Sequence, residues 1–192
     1  MNAALRAAAL LANSSAAWRR IEEEKVDAVS LLTSYVALLA LIPAMSGFIG
    51  DCVVGVIVAG KGVVRMPLLN GVFGASFGYI ATFAQVLLVA SAIDRLAPRF
   101  GAHRSFGGAL KLAAYSFTPV WLAGIFLLLP GLRFLQFAGL YGAAILATGL
   151  PPLMGSPEQK SLPYTVAVAV FAGALILLTV AAQHWLFDAV VL

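Results

Sequence analysis

Residues 164–187 read YTVAVAVFAGALILLTVAAQHWLF, without a single lysine, arginine, aspartate or glutamate. A helix needs about 20 residues to cross a ~30 Å hydrocarbon core. Lipid offers no water to the backbone, so an apolar run of this length must close its own hydrogen bonds as a helix. Four further long apolar runs lie at 31–50, 68–90, 107–129 and 134–150, charged only at Lys111. Stretches such as Val86-Leu87-Leu88-Val89-Ala90 do not alternate as the ~10-residue strands of a membrane barrel would. The expected fold class is therefore all-α, a polytopic membrane bundle of five transmembrane helices.

The composition agrees. Hydrophobic residues are 62% of the chain and charged residues 10%, against about 25% charged in a soluble domain. Mean hydropathy is +0.99. A length of 192 residues suits one bundle. Residues 1–30 read as a cytoplasmic N-terminal segment with a short interfacial helix, and 31–192 as the five-helix transmembrane domain. Leu11, Trp18 and Ile21 share a helical stripe, with Trp18 expected at headgroup level. The apolar stretch Ala7–Ala12 is shorter than the about 7–15 residues of a signal-peptide core, so the segment reads as uncleaved.

The first span holds Pro43, Gly47 and Gly50 and meets Asp51, after which apolar residues continue through 53–59 as a helix extension, a re-entrant piece or a loop. In the second span Gly71, Gly74, Gly78 and Thr82 form a small-residue face suited to close helix approach, extended by Gln85. A loop is expected over 94–106. A tight turn at Pro130–Arg133 makes spans three and four antiparallel neighbours. Pro151 and Pro152 are expected to end the fourth, leaving a polar loop over 153–162.

Cationic residues in short loops set membrane orientation. An inside N-terminus puts Arg6, Arg19, Arg20, Lys25, Arg95, Arg99, Arg104, Lys111 and Lys160 inside, and only Lys61, Arg65 and Arg133 outside. The expected orientation therefore has the N-terminus cytoplasmic and the C-terminus outside. The net charge of +4 is thus a matter of topology; no basic stripe with interleaved aromatics suggests nucleic acid.

Several stretches resemble one family. They are Ala17-Trp18-Arg19-Arg20-Ile21-Glu22, Tyr35, Leu41-Ile42-Pro43-Ala44, Gly47-Phe48-Ile49-Gly50, Lys111-Leu112-Ala113-Ala114-Tyr115-Ser116-Phe117-Thr118-Pro119, Gly139-Leu140-Tyr141-Gly142 and Gly149-Leu150-Pro151-Pro152-Leu153-Met154, with Pro157 and Lys160. In order and spacing, over about residues 10–187, the chain resembles the bacterial branch of the Yip family, the Ypt/Rab-interacting five-span membrane proteins. The resemblance implies a five-helix fold with a cytoplasmic N-terminus and, for the bacterial branch, a location in the bacterial inner membrane. For eukaryotic relatives it also implies vesicle trafficking and contact with small GTPases. The short alanine-rich N-terminal segment departs from those relatives, so that role is not carried over. The resemblance supplies no catalytic residues.

Two places could carry chemistry. Asp51 reads either as an ion or proton site at a helix break or as a carboxylate solvated at the interface. Lys111, Tyr115 and Thr118, at i, i+4 and i+7, share a helix face. They could line a cytoplasmic cleft for a lipid phosphate, or be a snorkelling lysine with interhelical hydrogen bonds. Pro43, Pro119 and Pro151 free backbone carbonyls, and Gln85 and Gln136 could bond across helices. Cys52, the single cysteine, excludes an internal disulfide, and His103 and His184 are too far apart in sequence for a local metal pair. No nucleophile elbow, phosphate loop or zinc motif is present. The sequence therefore points to a non-enzymatic membrane protein without a cofactor, organising membrane proteins or lipids. A small transporter or channel, assembled as a homo-oligomer, is the alternative. The bilayer, a lipid headgroup, other membrane proteins and further copies of the chain are the candidate partners.

Overall fold

A computed structural model describes residues 3–24, 27–58 and 60–188. Two short helices, α1 (Ala3–Ala12) and α2 (Ser14–Glu23), precede five long apolar ones. These are α3 (Ala28–Val54), α4 (Leu68–Phe100), α5 (Phe106–Leu128), α6 (Pro130–Met154) and α7 (Glu158–Leu186). A small antiparallel hairpin, β1 (Val56–Val58) and β2 (Gly62–Val64), joins α3 to α4, pairing Val56 with Val64. This settles the segment after Asp51: one wide helical turn over Gly50–Val54, then Gly55 at φ +82°, then the hairpin.

The third span, α5, is the centre. Its most apolar stretch is 67% buried, against 11% for α4 and α7. Leu110, Leu112, Ala113, Ala114 and Tyr115 are all buried. Close packing relies on glycines. Gly124 lies against Pro43, where a Cβ would sit 2.6 Å from the proline Cβ, and Gly142 lies against the Ser116 carbonyl, where a Cβ would sit 2.3 Å from the oxygen. The small-residue face of α4 behaves as its sequence suggests: Gln183 of α7 donates to the Gly74 carbonyl at 2.8 Å, and Gln85 donates to Thr179 at 2.6 Å.

Three boundaries differ from the sequence reading. Helix α4 runs on to Phe100, because Ile93 and Ala97 are fully buried and Phe100 stacks on Tyr164 at 4.7 Å; the loop shrinks to 101–105. Pro151 and Pro152 do not stop α6, which ends at Gly155 (φ +62°), whose N–H bonds to Pro151 O. The ring of His103 fills the space a Cβ there would need. Helix α7 starts at Glu158 and tolerates Pro163, so residues 155–157 alone form the link.

The N-terminal segment differs most. It holds two helices, divided at Asn13, whose side chain caps α2 by accepting from Ala16 N at 3.1 Å. Trp18 is not at a solvated surface: it is fully buried, and its indole donates to Ile145 O of α6 at 2.9 Å. Leu10, rather than Leu11, faces the core.

Packing this tight generates a stability test. Gly142→Ala drives a Cβ into backbone and is expected to cost about 1–3 kcal/mol, as overpacking does. Gly107→Ala meets open space and is expected to leave stability unchanged or raise it, by up to about 1 kcal/mol of helix propensity. Thermal melts of both variants in the same detergent check the contrast.

Candidate functional site

Two polar assemblies sit at opposite ends of the bundle. At the N-terminal end, Pro119 has no N–H for the carbonyl of Tyr115, four residues earlier. The Thr118 hydroxyl donates to that carbonyl instead, at 2.7 Å. Its single proton is then used, so in the 2.7 Å contact between Tyr35 and Thr118 the Tyr35 hydroxyl donates. Tyr115 accepts from Arg6 Nη1 at 2.7 Å and lies 5.4 Å from the guanidinium in a cation–π arrangement. Tyr35 and Trp18 meet the Tyr115 ring edge-on, at 4.8 and 6.0 Å.

Arg6 is itself buried and pairs with Glu24 at 2.6 Å. Burial alone would lower its pKa, but Tyr115 and Glu24 outweigh that and raise it above the ordinary arginine value, so it stays a cation. Lys111 donates to two carbonyls at the end of α2, Ile21 O at 2.8 Å and Glu24 O at 2.5 Å. A cation at a helix C-terminus is favoured by the helix dipole as well as by these bonds. Lys111, Tyr115 and Thr118 do share a face, and what they touch is the chain's own α1–α2 pair and the first span. Arg6 completes the cluster; its place before an alanine run gave no sign of burial in the sequence.

At the far end, Asp51 pairs with Arg133. An unpaired charge within hydrocarbon costs about 2.5–3.5 kcal/mol, which the pairing offsets. Asp51 and the Lys111 cluster are not brought together. Both Asp51 and Arg133 line a crevice of about 870 Å³ between α3, α4, α5, α6 and α7. Its mouth also carries Lys61 and Arg65, while Ala44, Ala75, Phe117, Trp121 and Ile176 line deeper parts. A second chamber, about 470 Å³, adjoins it, sharing Arg133, Gln136, Phe117, Val120 and Ile176.

The local backbone explains these chambers. Residues Pro130–Leu140 form a 3₁₀ helix, which has about three residues per turn. Arg133, Gln136 and Gly139 therefore stack in one row that lines the second chamber, while Phe134, Phe137 and Leu140 form a more exposed row, of which Phe137 and Leu140 also line that chamber. An α-helix would have fanned them apart. This half of α6 packs chiefly on α5, with Gly139 against Val120, whereas α7 follows α4, so the two neighbours part and leave a gap. Two buried polar atoms lack a partner among the described residues, Arg133 Nε and Ser116 Oγ, and both residues line the second chamber. Reading Gln136 as helix glue missed this, because periodicity does not reveal a 3₁₀ segment in an apolar run.

The N-terminal cluster can be tested directly. Arg6→Met is expected to weaken docking of α1–α2 by about 1.5–3 kcal/mol, mainly through the bond to Tyr115, since Glu24 is partly exposed. Hydrogen exchange should then quicken roughly tenfold or more over residues 14–23 while α5 stays protected.

The family model for the Yip1 domain matches residues 8–181. No curated protein and no solved structure matches the chain. The match spans all five long apolar helices, from α3 to all but the last few residues of α7, and takes in Asp51, Lys111, Tyr115, Thr118 and Arg133, with Arg6 just ahead of it. With its five membrane-spanning helices, this chain is a multi-pass membrane protein and belongs to the Yip family.

Proposed function

We propose that this Yip-family protein organises its membrane without catalysis, by holding lipid in the crevice between its diverging spans. The observation that carries this reading is the crevice itself: charged at its mouth, largely apolar along its length, and within the few hundred to about 1,000 Å³ of typical ligand sites. In this reading residues 1–30 are the cytoplasmic segment and 31–192 the membrane domain. The excess of cations at the N-terminal end supports an inward N-terminus, in a bacterial inner membrane. The Lys111, Tyr115 and Thr118 face serves to fix α1–α2, and the exposed charges of α2, Arg19, Arg20, Glu22 and Glu23, form the surface offered to protein partners.

Binding is favoured over conduction. Between the chambers and the N-terminal end the bundle is filled by Trp18, Leu112, Tyr115, Ile145 and Leu150, all essentially inaccessible.

Native mass spectrometry on protein extracted in native-lipid discs tests the reading. At least one lipid per chain is expected to stay bound, and Ala75→Trp, which fills the crevice, to abolish retention with the fold intact. Retention unchanged in that variant, or none in the parent protein, would defeat it. Proteoliposomes are expected to show no protein-dependent ion or solute flux.

A further inference from the structure

We infer that the crevice binds one two-chain phospholipid with an anionic headgroup, its phosphate held by Lys61, Arg65 and Arg133 and its two chains in the two adjoining chambers. The inference rests on the lipid-holding reading above and adds the class of lipid and its placement.

Charge is the first argument. The mouth holds three cations and one carboxylate. Asp51 engages Arg133 on one side only, leaving the buried Nε of the same guanidinium without a partner among the described residues. Lys61 and Arg65 have no carboxylate partner among the described residues and lie exposed on or beside the hairpin. Cations gathered where apolar walls begin suit a phosphate, as guanidinium and ammonium donors bind it by charge-assisted hydrogen bonds. A zwitterionic headgroup would bring its own cation into an already positive mouth.

Depth is the second. Gln136 lies three residues beyond Arg133 in the 3₁₀ row, so ~6 Å deeper at ~2.0 Å rise per residue. Its amide makes no hydrogen bond among the described residues although it lines both chambers. An unbonded amide is costly beside hydrocarbon, and it stands where the ester oxygens of a phospholipid anchored at Arg133 would fall.

Shape is the third. The two chambers share Arg133 and Gln136 together with Phe117, Val120 and Ile176; beyond these shared walls the first is lined mainly by α3, α4 and α7, the second mainly by α5, α6 and α7. The second is lined chiefly by apolar residues, among them Val89, Leu146 and Ala172. Polar side chains along the first are already bonded to protein: Thr82 to Gly78 O, Gln85 to Thr179, Gln183 to Gly74 O. Two largely apolar arms beside one cationic cluster match two acyl chains below one phosphate. The gap between α6 and α7 is the lateral entry.

The test titrates delipidated protein with phosphatidylglycerol, chain-matched phosphatidylcholine, one-chain lysophosphatidylglycerol and inorganic phosphate, read by native mass spectrometry. Phosphatidylglycerol is expected to bind at least tenfold more tightly than phosphatidylcholine and than its one-chain form. The exposed pair Lys61→Gln/Arg65→Gln should weaken it about 30-fold, the scale of two cations acting on an anionic lipid, and leave phosphatidylcholine unchanged. Arg19→Gln/Arg20→Gln, at the other end, should change nothing. Equal binding of the two diacyl lipids, equal binding of the one-chain form, loss of preference in the Arg19/Arg20 variant, or displacement of lipid by millimolar phosphate would each overturn the inference. The first two leave the lipid-holding reading standing; failure of every lipid to bind would remove that reading as well.

Discussion

Pro119 leaves the Tyr115 carbonyl without its helical partner in the most buried helix of the bundle. An unsatisfied carbonyl there would cost several kcal/mol, and the hydroxyl of Thr118 turns inward and bonds to it. Much else is tied to that choice. The Thr118 proton is committed, so Tyr35 must donate, which fixes the first span beside the third. Tyr35 in turn braces the ring of Tyr115 edge-on, and Tyr115 presents its hydroxyl to Arg6. One missing amide hydrogen thus propagates into a chain of bonds that draws in the N-terminal helices.

The two ends of the bundle solve the problem of charge in hydrocarbon differently. At the N-terminal end the polar groups are saturated by one another and by backbone: Arg6 with Tyr115 and Glu24, Lys111 with two carbonyls. Aromatic rings fill what remains, so the end is solid. At the far end, Arg133 satisfies Asp51 but keeps a buried donor in hand. The tight 3₁₀ winding of α6 lines up Arg133 and Gln136 along a gap that its divergence from α7 holds apart. A polar row beside empty apolar space is a receptive surface; a saturated network is a structural one. That contrast, more than any single residue, is why the lipid-holding reading centres on the far end.

Family membership fits this division. The matched region covers nearly all of the bundle and of both assemblies, with Arg6 just ahead of it and the last few residues of α7, Gln183 among them, just beyond it. The stretch Lys111–Pro119, which carries much of the resemblance, is also the stretch that supplies the carbonyl repair and the N-terminal clasp.

The sequence by itself determined the class and number of elements. Five long apolar runs, charged only at Lys111, leave the backbone no option but helix in lipid, and the lone cysteine and scattered histidines limit its chemistry. The face shared by Lys111, Tyr115 and Thr118 was legible because its spacing is local. What lay across that face was not: Arg6 and Ile21 are distant in sequence, and nothing near Trp18 signals that its indole will reach Ile145. Helix ends were misjudged where burial overruled local signals, as at Phe100, or where two prolines fell in a last turn that Gly155 could still cap. The crevice was the least legible feature. It depends on a switch from α to 3₁₀ winding and on two neighbouring helices parting, and both are decided by packing between elements, because an apolar run reads the same under either winding.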